Sequence, residues 1–211
     1  MKKLVSLILA LTLLATALVG CTTETTTPAP APAPSETPAP VETPAADSSK
    51  IAKVGLGQNI SIAKSRDAGV DANGKEVLAQ AQADVTMAAV GFDAEGKVAS
   101  VTIDVAQTKI AFDKDLKVTS DKTAEVKSKK DLGPDYGMVG ASAIKKEWFE
   151  QMAAFEEWMI GKTVEEITGL KVKEANPTHQ NVPDVPELAS TVTITVEGYL
   201  AVVKEAAEMA R

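Results

Sequence analysis

Between Ile51 and Arg211 apolar and polar residues alternate in two distinguishable rhythms. "VLAQAQADVTMAAVGFD" and "VASVTIDVAQTKIAFD" alternate at period two on either side of "DAEGK", whose Gly96 suits the positive-φ position of a hairpin turn. This predicts two long antiparallel strands, over about 77–92 and 98–112. "IAKVGLGQNISIAKS" predicts an earlier strand, weakened or bulged where Gly55 and Gly57 interrupt it.

The second rhythm is helical. In "SAIKKEWFEQMAAFEEWMIG" the residues Ile144, Trp148, Met152, Phe155 and Met159 share one face, with Trp158 beside them, Ser142 placed as N-cap and Gly161 as the stop. An aromatic and methionine stripe of this kind packs against a sheet. Thr163 and Glu166 have capping-box spacing and predict a short second helix. Val196, Tyr199, Leu200, Val203, Ala207 and Ala210 predict a terminal helix over about 196–209. "KVKEANPTHQNVPDVPEL", with Pro177, Pro183 and Pro186, predicts irregular chain before it. "STVTITV" also reads as a strand, because its β-branched residues alternate. The fold class that follows is α+β: an antiparallel β-sheet with helices packed on it, one domain over 51–211.

The residues before Ile51 belong to another class. Lys2 and Lys3 precede an apolar run from Leu4 to Val19, too short for a spanning helix and laid out as a secretory leader over 1–20. Leu18-Val19-Gly20-Cys21 resembles a bacterial lipobox, which implies cleavage before Cys21 and acylation of that residue. The next residues, 22–50, alternate Pro with Ala, Thr, Ser and Glu, and predict a disordered tether of polyproline-II type. At about 3.1 Å per residue it reaches roughly 90 Å from a bilayer. The expected location is the outer face of the cell membrane.

Charge and residue inventory narrow the chemistry. Loss of Lys2 and Lys3 with the leader takes the formal net charge from −7 to −9, which leaves no basic footprint for nucleic acid and no attraction to anionic headgroups. Acylation of Cys21 consumes the single cysteine, so disulfides and thiolate metal sites drop out. His179, the one histidine, has no second His or free Cys with which to build a zinc site or a Ser-His-Asp system. The neighbours Glu156-Glu157 and Glu165-Glu166 read as solvated helix faces. "GLG" at 55–57 lacks the third glycine of a dinucleotide loop. Nothing here predicts a catalyst with its own substrate.

The leader, the tether, the turn-strand unit "DAEGKVASVTID" and the hydroxyl-rich step before the terminal helix together resemble the FMN-binding domain family of exported bacterial flavoproteins. In that family a Ser-Gly-Ala-Thr-x-Thr/Ser step precedes a helix, and a dedicated transferase esterifies the threonine after Ala with FMN. The resemblance implies an electron carrier served by a membrane redox donor, with FMN bound covalently or not. Laid on Leu188-Ala189-Ser190-Thr191-Val192-Thr193, it puts Thr191 at the flavin-bearing position and Thr193 at the following hydroxyl position, with Ser190 before them. Leu188, Ala189 and Ser190 replace the family's Ser, Gly and Ala. Val139-Gly140-Ala141-Ser142 keeps the Gly-Ala-Ser core and makes Ser142 the second choice. A phosphate at a helix N-terminus meets free N–H donors and the positive dipole end, so such a flavin needs no basic cluster. Tyr199 is either a neighbour of the flavin ring or a core residue. The competing expectation is a cofactor-free surface lipoprotein that binds a ligand or partner.

Overall fold

The computed structural model describes residues 50–177 and 179–211. The leader, Cys21 and almost all of the tether lie outside the described residues.

The domain is α+β. Strand β1 (Lys53–Ser61) is followed by the two-residue strands β2 (Gly69–Val70) and β3 (Glu76–Val77), and then by β4 (Gln80–Phe92) and β5 (Val98–Ala111). Helix α1 (Lys129–Leu132), a 3-10 turn over Gly133–Tyr136, α2 (Trp148–Met159) and α3 (Val164–Thr168) come next. The two-residue strands β6 (Val172–Lys173) and β7 (Val182–Pro183) pair before α4 (Glu197–Glu208). The main sheet has order β1-β4-β5, antiparallel throughout. The two long strands and their hairpin lie where period two puts them, with Gly96 at φ +80°. The first strand starts later than the pattern suggests, at Gln80, because Glu76–Val77 pairs with β2 instead.

The hairpin turn recurs as a device. In each of "DANGK", "DAEGK" and "DKDLK" the leading Asp accepts a backbone N–H from the Lys four residues on, at 2.9, 2.7 and 2.9 Å. The fourth position takes positive φ in all three, supplied by Gly74, Gly96 and, against its side-chain sterics, Leu116 at φ 59°.

Gly55 and Gly57 do not bulge β1, whose register with β4 is continuous; the irregularity sits instead at Gly91/Phe92. Their role is close approach. A Cβ on Gly55 would lie 1.8 Å from the carbonyl oxygen of Ala206, and one on Gly57 would lie 1.8 Å from that of Val202. Helix α4 therefore rests with its backbone on β1, an arrangement open only to residues without a side chain.

The inner face of the sheet carries Ala88, Val90, Phe92, Val101, Ile103 and Val105, all buried. Against it pack Trp148, Met152, Phe155 and Met159 of α2 and Val202, Val203 and Ala206 of α4. The terminal helix is rotated relative to the expected stripe. Val202 and Ala206, whose backbone faces the two glycines, are buried together with the expected Val203, whereas Ala207 is only half-buried. Ile144 precedes α2, and Trp158 stacks on Phe155 with ring centroids 5.8 Å apart.

Both sheet edges are partly covered by the chain itself, which shortens the free N–H row of an edge strand. On β1, Val54 exchanges backbone bonds with Arg211 at 3.1 and 3.2 Å, and the Glu205 carboxylate accepts from the Gln58 N–H at 2.7 Å. On β5, Val98 bonds to Lys162 and Gly161, and Ala106 bridges to Ser128. Between these contacts the Glu156 carboxylate accepts from the Ile103 N–H at 2.6 Å.

Candidate functional site

The hydroxyl-rich step is anchored by its apolar members. Leu188, Val192 and Val196 recur every fourth residue and are buried to 1 % exposure or less. Turn bonds from the Thr191 and Val192 N–H groups to the Leu188 carbonyl coil the chain so that all three point inward. "STVTITV" is therefore neither a strand nor the opening of a helix. Helix α4 begins at Glu197, well beyond Thr191, with Val196 as an N-cap that makes no side-chain cap bond. The expected placement of Thr191 at a helix N-terminus is thereby corrected, because core anchoring at period four outweighs β-branched propensity.

The four candidate residues of this segment have different surroundings. Ser190 is exposed. Thr191 is half-buried, and its hydroxyl makes a long 3.4 Å bond to the Leu188 carbonyl. Thr193 donates its backbone N–H and its hydroxyl to Oε1 of Gln151, at 2.9 and 3.3 Å. The Tyr199 hydroxyl accepts the Trp148 indole N–H at 3.0 Å, with the two rings edge to face at 6.1 Å between centroids. Burial pushes the Tyr199 phenol up to about 12. Its role is core packing.

Ser142 is not the N-cap of α2. Glu147 takes that position, and its carboxylate accepts from the N–H groups of Met138 and Val139 at 2.7 and 2.9 Å. Ser142 is buried, and its hydroxyl accepts from Nε2 of Gln151 at 3.2 Å. Nε2 also donates to the Lys146 carbonyl at 3.3 Å. One fully buried amide thus links Ser142 to Thr193, the two segments that compete as attachment steps, and spends both of its lone pairs and both of its N–H groups in doing so. Gln151 sits one residue before Met152 on the inward side of α2; period alone gave no sign of it.

Glu156 is the other residue missed. Expected on a solvated face, it is 1 % exposed. Oε1 receives both the Ile103 N–H and Lys130 Nζ, the latter also at 2.6 Å, while Oε2 is buried without a partner. Desolvation raises the Glu156 carboxyl above the ordinary carboxylate range, opposed by the Lys130 ammonium. A groove of about 310 Å³ lies between this part of α2 and the sheet, lined by Val54, Ala89, Gly91, Ser100 and Thr102 on the sheet side and by Glu156, Glu157 and Ile160 opposite.

The groove opens onto the outer face of the sheet. Register places Val54, Leu56, Gln58 and Ile60 of β1 on that face, beside Ala81, Ala83, Val85, Met87, Ala89 and Gly91 of β4. Strand β5 adds Ser100, Thr102, Asp104, Ala106, Thr108 and Ile110. Asp104 is the one charged residue among them, and its Oδ1 already accepts from the N–H groups of Val105 and Lys130, at 2.7 and 3.2 Å. Val54, Leu56 and Ile60 are 59, 59 and 63 % exposed. A solvated face of an antiparallel sheet ordinarily carries charged and polar residues; here β5 supplies Ser100, Thr102, Asp104 and Thr108, while β1 and β4 are apolar apart from Gln58.

Among the described residues no group of three or more His, Cys, Asp or Glu is placed to hold a metal ion, and no helix is long and apolar enough to cross a membrane. No protein-family model, curated protein or solved structure matches the chain.

Proposed function

We propose that the chain is an exported, lipid-anchored binding module, free of cofactor, that engages its partner through the outer face of the β1-β4-β5 sheet. One observation carries this reading: a whole sheet face lacks any uncommitted charge while its edge strand presents Val54, Leu56 and Ile60 to solvent. Contiguous exposed apolar surface of that kind marks interaction sites. Cys21 would supply the membrane anchor and residues 22–50 the reach.

The test is photo-cross-linking in the native envelope from a reactive side chain placed at Ala89 or Thr102, with the exposed Lys122 as control. Adducts specific to the two sheet positions support the reading. Absence of adducts there, with the protein folded and exported, overturns it. Cys21→Ser releases the protein from membranes if the lipobox reading holds; full membrane retention sinks that part.

A second reading, an FMN-bearing electron carrier, is favoured by Thr191, whose hydroxyl is held only by one long bond. Because α4 starts at Glu197, a phosphate on Thr191 would not sit on the helix terminus and would have to find other donors. Intact mass and peptide mapping of protein from the native envelope decide between the two readings. An FMN-phosphoryl adduct on Thr191 establishes the carrier, and an unmodified peptide removes it.

A further inference from the structure

The groove between α2 and the sheet contains a polar group that the fold leaves unfinished. Glu156 lines it and is 1 % exposed, and its two carboxylate oxygens have different surroundings. Oε1 accepts from the Ile103 N–H and from Lys130 Nζ, both at 2.6 Å, whereas Oε2 is buried with no hydrogen-bond partner. Buried polar atoms are ordinarily paired, because an unpaired one gives up its hydration without replacement. Neither Ile103 nor Lys130 lines the groove, so Oε2 is the oxygen left for an occupant.

We propose that the groove binds an ammonium group carried on a short aliphatic stem, with the nitrogen donating to Oε2 of Glu156. The inference rests on the reading of the outer face, onto which the groove opens, as a binding surface, and it names the chemistry selected there. Charge sets the sign of the ligand. Glu156 and the exposed Glu157 line the groove, and no Lys or Arg does. The ammonium beside it, Lys130 Nζ, is already shared between Glu156 Oε1 and Thr102 Oγ1, at 2.6 and 3.3 Å. Two carboxylates against one ammonium leave net negative charge, which attracts a cation and repels a carboxylate or phosphate. Burial points the same way: it raises the Glu156 carboxyl above the ordinary range, and a donor at Oε2 stabilises the ionised form.

The rest of the lining sets the stem. Val54, Ala89 and Ile160 give apolar walls, and a volume of about 310 Å³ lies at the small end of ligand pockets, which run from about 300 to 1,000 Å³. Among the described residues no group of three or more His, Cys, Asp or Glu is placed to hold a metal ion, so a bare divalent cation lacks the oxygen ligands it needs. Val54, Glu157 and Ile160 are exposed side chains. Their rotamers exchange within picoseconds to nanoseconds, so they can turn aside to admit the head group without backbone movement. An ammonium on such a stem ends a lysine side chain and also a free alkylamine.

The probe is n-butylammonium, titrated at constant ionic strength and at about pH 8, where alkylammonium groups stay protonated. The protein is the isotope-labelled mature chain with Cys21→Ser, followed through the amide shifts of Thr102, Ile103 and Glu157. The expected result is saturable binding with a Kd in the millimolar range, ordinary for a ligand this small, and no binding of n-butanol or butyrate. Glu156→Gln weakens the ammonium by about 10-fold or more, the share of a hydrogen bond to a charged group. Ala89→Leu fills the groove from an exposed position, so it abolishes binding while circular dichroism stays that of wild type.

Failure of n-butylammonium to saturate, butyrate or n-butanol binding as tightly, or unchanged affinity in Glu156→Gln each overturns the inference, while the envelope cross-links from Ala89 and Thr102 test the face on their own. With the ammonium bound, cross-links from Thr102 that n-butylammonium suppresses assign the stem to a lysine of a protein partner. Binding without any cross-links assigns it to a free alkylamine and removes the face as a protein contact.

Discussion

Replacing Gly57 with alanine sets local propensity against tertiary packing, and the two predict opposite signs. Within a strand alanine is favoured over glycine by about 0.5–1 kcal/mol, through the entropy that glycine loses on folding. The added Cβ, however, would stand 1.8 Å from the Val202 carbonyl oxygen and 2.8 Å from the Ala206 nitrogen, both backbone atoms of α4 that no rotamer change can move. Restoring an ordinary contact needs the helix to lift by about 1.5 Å, and a gap of 0.5–1 Å already forfeits a quarter to a half of the contact energy across it. Val202, Val203 and Ala206 are buried at that seam, and each valine contributes about 1.5–3 kcal/mol by its burial. The loss is then about 2–3 kcal/mol, which leaves a net destabilisation of about 2 kcal/mol after the propensity gain. In urea, with a slope of about 2 kcal/mol per molar, the midpoint falls by about 1 M. Gly69→Ala is the control, because nothing lies within 4 Å of its added Cβ, and its stability stays within about 0.5 kcal/mol of wild type. A Gly57→Ala protein as stable as wild type, or more so, refutes the close approach of α4 to β1.

Glu156→Gln changes the pH dependence of stability. The folded carboxyl is raised, so the folded chain holds a proton that the unfolded chain has released, and wild type loses stability as pH climbs from the ordinary carboxylate range through the raised value. The glutamine variant lacks that slope, which the difference in Tm between the two proteins from pH 4 to 8 reads out. Gln151→Leu strips partners from the Thr193 N–H and the Ser142 hydroxyl at once. It costs about 2–4 kcal/mol and exposes the Thr193 amide to hydrogen exchange; protection equal to wild type would show that the bridge is idle. Tyr199→Phe leaves the buried Trp148 indole N–H without an acceptor and costs about 1–2 kcal/mol by urea titration. In wild type the phenol's contribution is complete below pH 10 and is lost as pH rises toward about 12, followed by tyrosinate absorbance.

The sequence by itself determined whatever repeats over a few residues. Period two placed β4 and β5 and their Gly96 turn, the Trp148–Phe155 stripe placed α2 against the sheet, and the Thr163–Glu166 spacing placed α3. Tertiary structure alone decided what depends on partners distant in the chain. Gly55 and Gly57 read locally as weak points, and only the arrival of Ala206 and Val202 makes them seats for a helix. Glu156 has the sequence surroundings of a solvated carboxylate, and only the proximity of the β5 edge makes it a buried cap for Ile103. Thr191 and Ser142 appeared as rivals for one role, and folding joins their two segments through Gln151, 42 residues from Thr193 and 9 from Ser142. Periodicity reports which side of an element faces inward; it carries no record of which backbone or polar group will be waiting there.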